Sequence, residues 1–191
     1  MPRPRQFDTQ TALRSAARAF WRHGYAGTST EALLDEMKIG RQSLYNAFGD
    51  KRQLYLDALR LYSSESVSAH VARLEGPEAP VDGLRELLRG LAVDDDDDRA
   101  RGCFGVAATI EFGASDEAIA AATRGPAALL HARIRERLAL AVADGSLDAD
   151  IDLEASAVLV EQQMIALQVA ARSGASVHSM RSAADYAIDQ L

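Results

Sequence analysis

The stretch Thr28–Tyr55, TSTEALLDEMKIGRQSLYNAFGDKRQLY, decides how this chain is read. Thr28-Ser29-Thr30-Glu31 has the form of a capping box, in which the Thr28 hydroxyl accepts from the Glu31 amide while the Glu31 carboxylate reaches back. A short helix through about Met37 is therefore predicted. After Lys38-Ile39-Gly40, Arg41–Phe48 reads as a second short helix with Leu44 and Phe48 one turn apart on its buried side. Gly49-Asp50 breaks and recaps the chain. A long amphipathic helix then runs from Lys51 to about Leu74, with Leu54, Ala58, Leu61 and Tyr62 at core spacing and Gly76-Pro77 at its end. Two short helices joined by a tight turn match a helix-turn-helix, whose second helix enters the major groove of DNA. That helix exposes Arg41, Gln42, Ser43, Tyr45 and Asn46, all able to donate or accept hydrogen bonds.

Working outward, Leu13, Ala16, Ala17, Phe20 and Trp21 recur at helical spacing from Phe7 to His23, and Gly24 supplies a stop. Downstream, helices are predicted over 81–93, 103–112, 117–143, 153–171 and 177–191, separated by Gly-, Asp- and Ser-rich breaks. Asp94–Asp98 reads as a solvated acidic loop, since it lacks the interleaved Gly and final Glu of a calcium loop. The expected fold is all-α: a three-helix helix-turn-helix head over residues 1–50, joined by the long helix to a helical body over residues 51–191.

The net charge of -7 hides an asymmetry. Residues 1–52 hold nine Lys/Arg against five Asp/Glu, and the remainder holds twelve against twenty-three. A basic head on an acidic body suits a polyanionic partner at the head. The single Cys103 excludes an intrachain disulfide and fits a reducing cytoplasm, and neither a membrane span nor a signal peptide is visible. No nucleophile elbow, phosphate loop or cofactor motif points to an enzyme, and His70, His131 and His178 are too scattered for a metal site.

STEALLDEMKIGRQSLYNAFGDKRQLY, preceded by AARAFWRHGYAGTS, resembles the DNA-binding head of TetR/AcrR-type regulators over about Thr11 to Tyr55. The resemblance implies that Thr28, Ser29, Tyr45 and Lys51 face DNA phosphates and that Arg41, Gln42, Ser43 and Asn46 reach base edges. This division suits the chemistry of a lysine at a helix N-terminus and of bidentate Arg and Gln side chains. Arg3 and Arg5 are expected to form a minor-groove arm. Two positions depart from the family pattern: Lys38 stands where a Gly is usual and the turn often needs positive φ, and Gly40 replaces a Ser or Thr cap. Lys38 is expected to gain a phosphate in return.

For the body, the resemblance implies an effector pocket and a four-helix homodimer interface made by the last two helices. Leu153, Ala157, Val160, Met164, Leu167 and Ala171 form one apolar stripe, and Val177, Met180, Ala184, Ala187 and Leu191 form a second; both are assigned to the dimer. Tyr62, Leu88, Cys103, Phe104, Ile110, Phe112, His131, Ile134, Met164 and Gln168 are the candidate pocket residues, suited to a small hydrophobic or aromatic ligand. Arg101-Gly102-Cys103-Phe104, leading to Glu111-Phe112, is similar to a segment of a family branch that includes sensors of reactive electrophiles; Cys103 is read either as such a sensor or as a buried small hydrophobe. The expected function is operator binding as a dimer, repression, and release when a small-molecule effector moves the long helix. The alternatives are a constitutive or architectural DNA-binding dimer and a cysteine-based sensor.

Overall fold

The computed structural model describes residues 7–113 and 116–191, and these form ten α-helices; Arg3 and Arg5 lie outside the described residues. Helix α1 (Thr9–Gly27) starts where the Asp8 carboxylate accepts from the amides of Gln10 and Thr11. Gly24, at φ 73°, breaks its helical geometry, so the predicted stop is a kink followed by one further turn. Helices α2 (Thr30–Met37) and α3 (Arg41–Phe48) follow, and α4 (Lys51–Glu75) leaves from an Asp50 cap. The cap of α2 is Ser29, whose hydroxyl accepts from Ala32 N, and not Thr28. The extra turn after Gly24 draws Thr28 into the end of α1, where its hydroxyl donates to Gly24 O at 2.6 Å.

The body comprises α5 (Pro80–Arg89), α6 (Asp96–Arg101), α7 (Phe104–Phe112), α8 (Glu117–Ala143), α9 (Leu153–Arg172) and α10 (Val177–Asp189). The acidic run is thus half helix. Asp95 caps α6 by accepting from Asp98 N, and Asp96, Asp97 and Asp98 occupy the first turn, where the helix dipole favours negative charge. Arg99 and Arg101 pair back onto Asp96 and Asp98, offsetting the repulsion that argued for a loop.

Helix α4 buries side chains around most of its circumference because it packs against both α1 and α8. Its first half, through Leu54, Tyr55, Ala58 and Leu59, joins a core built on Phe20, Leu33, Leu44 and Phe48 that also takes in Phe104, Ala108 and Ile119 of the body. Its second half, through Val67 and Leu74, joins the body core of α5, α8, α9 and α10. The stripe assigned to dimerisation lies in that second core: Ala157, Val160, Met164, Leu167, Ala171, Met180 and Ala184 are buried within one chain, with Leu153, Val177, Ala187 and Leu191 packed at its margin. The periodicity located an apolar face correctly, and the chain's own α5 and α8 cover it.

Where α4 turns into α5 the backbones meet. A Cβ on Gly83 would stand 2.1 Å from the Leu74 carbonyl oxygen and 2.8 Å from Arg137 Nε. The Arg137 guanidinium donates to the carbonyls of Pro77, Ala79 and Pro80, giving the connecting turn its hydrogen-bond partners. Gly83→Ala is expected to lower stability by about 2 kcal/mol despite alanine's better helix propensity, because backbone and not a flexible side chain must move. Urea unfolding followed by circular dichroism reads this directly.

Candidate nucleic-acid interface

Leu44 and Phe48 hold α3 to the head core, and this fixes which face looks outward. Arg41, Gln42, Tyr45 and Asn46 are exposed and Ser43 is half-buried; the Tyr45 side chain is 46% exposed, a large open surface for an aromatic residue. Gln42 Nε2 donates to Asn46 Oδ1 at 3.0 Å, aligning two amides one turn apart along that face. Gly40 provides no side-chain cap, so the first-turn amides of α3 remain open to an acceptor from outside. Arg41 pairs with Glu31 on α2, and with both side chains more than half exposed the pair is weak enough to exchange for another anion.

Lys38 adopts the left-handed conformation, φ 54° and ψ 42°, the value expected for a turn that usually carries glycine; its amide and that of Ile39 both return to Leu34 O. The cost is about 1 kcal/mol for a residue with a Cβ, and the ammonium is left in solvent. Ser29 is exposed at the start of α2. Thr28 is 1% exposed with its hydroxyl committed to α1, so it presents nothing to a phosphate. Lys51 lies with Nζ 4.2 Å from the centre of the Tyr25 ring, half-buried at the start of α4.

Sequence reasoning missed the joint below this surface. Beyond the Gly24 kink, the Glu111 carboxylate of α7 accepts from the amides of both Tyr25 and Ala26, at 2.9 and 2.8 Å. Tyr55 sits at the centre of a ring cluster with Phe20, Tyr25, Phe104 and Phe112, centroids 4.9 to 5.3 Å away. Burial and the nearby Glu111 charge push its phenol well above the usual range. Arg52 lies over Phe112 and pairs with Asp116, the cap of α8. The available signal was Glu111 itself, the sole charge in the otherwise apolar helix FGVAATIEF.

Two clefts adjoin the joint. The first, of about 410 Å³, lies between α1, α7 and the end of α9 and brings together Cys103, Phe104, Ile110 and Gln168 from the predicted set with Trp21 and Glu111. The second, of about 370 Å³, lies beside α4 and the start of the body and contains Tyr62, Ser66, His70 and Arg73. Leu88, Ile134 and Met164 belong instead to the body core, and Phe112 to the ring cluster. His131 bridges α8 to α9 through Glu154 and Glu161, away from both clefts. These five fail as cleft residues because helix packing consumes their faces. Cys103 is half-buried at the start of α7. The nearby cations Arg99 and Arg101 are paired with Asp96 and Asp98.

A helix-turn-helix head with an open polar face on its second helix, on an all-helical body, has the form of a DNA-binding transcriptional regulator. The family model described as "Bacterial regulatory proteins, tetR family" matches residues 12–58, and "Tetracyclin repressor-like, C-terminal domain" matches residues 80–190. The chain belongs to the tetR family. It is 30% identical over 193 residues to an uncharacterized HTH-type transcriptional regulator, YezE of Bacillus subtilis (strain 168), covering 100% of both chains. It is 26% identical to the HTH-type transcriptional repressor ComR of Escherichia coli (strain K12), covering 93% of this chain and 86% of that one. A solved cysteine mutant of the TetR family transcriptional regulator CifR, complexed with 26bp double-strand operator DNA, superposes with a TM-score of 0.84 at 32% identity over 98% of each chain. Among the described residues, no helix is long and apolar enough to cross a membrane.

Burial, with the Arg73 charge second, lowers the His70 pKa from 6.5 to about 4. A folded-state pKa below the unfolded one makes this imidazole a stabilising group in full above about pH 6.5, with its contribution lost as pH falls toward 4. The unfolding free energy is expected to fall across that window by at most about 3 kcal/mol from this group. Urea titrations at pH 7 and pH 5 should show a smaller loss for His70→Gln than for the wild type.

Proposed function

We propose that the chain is a homodimeric repressor that binds operator DNA through α3 of each copy and lets go when its body takes up a small-molecule effector. The observation that carries this reading is the α3 face, where Arg41, Gln42, Tyr45 and Asn46 stand open beside uncapped amides while Leu44 and Phe48 fix the helix from behind. In this reading Arg41, Gln42, Ser43 and Asn46 meet base edges, and Ser29, Lys38, Tyr45 and Lys51 meet phosphates. Residues 1–50 act as the head and 51–191 as the body. The operator complex of CifR and the repressor name of ComR support the assignment.

Two half-sites about 34 to 36 Å apart call for two copies of the head. The outer face of α9 exposes Val158, Leu159, Ile165 and Val169, and α10 adds Tyr186; a second copy of the chain is the cover this apolar face lacks. Effector entry into the first cleft, between α1 and α7, would act on the Glu111 carboxylate that holds Tyr25 and Ala26. Loosening that grip frees the head to leave the spacing the operator requires, provided the effector binds the released arrangement better.

Gel-shift titration against DNA upstream of the gene and its neighbours, at fixed salt with nonspecific competitor, tests the reading. Gln42→Ala is expected to weaken specific binding by about 1–3 kcal/mol and nonspecific binding hardly at all. Lys38→Gln should weaken both and lower the salt slope by about one. Equal losses on specific and random DNA for Gln42→Ala would remove α3 from base reading.

A further inference from the structure

The second cleft holds a positive charge with no counter-charge. Arg73 leaves α4 and lies across Gly90, where a Cβ would stand 2.3 Å from Arg73 Cδ and 2.6 Å from Nε, so the bare backbone of Gly90 sets where the guanidinium lies. Its Nη1 donates to His70 Nδ1 at 3.1 Å, and no carboxylate among the described residues pairs with it. The acids of the cleft are already engaged, Glu65 by Arg14 and Asp98 by Arg101. Arg99 is held by Asp96 and by the carbonyls of Val93 and Ala175.

Hydrogen-bond chemistry fixes the polarity behind Arg73. A guanidinium only donates, so His70 Nδ1 accepts and the imidazole proton sits on Nε2, aimed at Ser66 Oγ 3.1 Å away. The imidazole is neutral and brings no charge of its own. Facing this arrangement, the Trp21 indole packs on the Tyr62 ring with centroids 5.0 Å apart, an apolar wall opposite the cation.

We propose that this cleft binds a small organic monocarboxylate, its carboxylate held by Arg73 and its apolar body against Trp21 and Tyr62. A guanidinium matches a carboxylate through two parallel hydrogen bonds. A monoanion answers the unpaired guanidinium of Arg73, whereas the second charge of a dianion would find no free cation in the cleft among the described residues, Arg99 and Arg101 being paired with Asp96 and Asp98. Binding here stands apart from the operator reading; only its effect on DNA rests on that reading.

Trp21 is the single tryptophan of the chain and lines both clefts, so its fluorescence reports occupancy and Arg73→Gln, which alters the second cleft alone, assigns the signal. The full-length protein is titrated with benzoate, hexanoate, their amides and inorganic phosphate. Saturable binding of at least one acid is expected, tighter than its amide and than phosphate by about tenfold or more. Arg73→Gln should abolish the preference for acid over amide with an unchanged helical spectrum. Gly90→Ala, which displaces Arg73 without removing it, should weaken the acid alone. The proposal is overturned if neither acid saturates, if amide or phosphate matches the acid, or if Arg73→Gln keeps the preference. The same titrations with labelled operator separate the two ideas: acid binding that leaves operator affinity unchanged keeps the site and rejects it as an effector site, while absent acid binding with intact operator affinity rejects the site alone.

Discussion

Two main-chain amides just past the kink in α1 bind the head to the body. Gly24 ends the helical ladder with a positive φ, and the Tyr25 and Ala26 N–H groups that follow are given to the Glu111 carboxylate of α7. Such charge-assisted bonds are stronger than neutral ones. The rest of the interface is arranged around this clasp: Tyr55 and its ring neighbours exclude water below it, and Arg52 reaches Asp116 beside it. A side chain at Gly24 would meet Glu111 Oε2 at 3.1 Å as well as strain the backbone, so kink and clasp depend on the same residue. The orientation of α3 is inherited from it through α2 and the packing of Leu33, Leu44 and Phe48.

The recognition helix looks sparsely held by local interactions alone. Gly40 brings no capping side chain, and Lys38 carries the strain of a left-handed residue. Tertiary packing compensates, since Leu44 and Phe48 are both almost fully buried in a short helix of eight residues. The two departures from the family pattern therefore sit where they leave amides and an ammonium open, on the surface assigned to DNA.

Much of this was legible in the sequence because it is local. The bounds of α3 and α8 follow from caps and turn residues on either side, and those of α2, α4 and α9 fall within a few residues of the expectation. The errors have tertiary causes. Thr28 looked like a cap, but the turn after Gly24 moved the cap to Ser29. Asp94–Asp98 looked like a loop because the repulsion was counted without the two arginines that follow. Amphipathic spacing shows that a helix has an apolar face and not what covers it, so the α9 and α10 stripes were assigned to a second copy when α5 and α8 cover them. Clefts were the least legible feature, since Trp21 and Gln168 come together only after the whole body has packed.

Operator affinity of Glu111→Ala, measured by fluorescence anisotropy beside the wild type on the same DNA, bears most directly on the claim that this joint sets the head for DNA. Glu111 lies on α7, outside the helix-turn-helix, and the alanine variant leaves every proposed DNA contact in place. The account predicts a loss of about tenfold or more in affinity, with helical content and the salt slope unchanged. Wild-type affinity in the folded variant would contradict it.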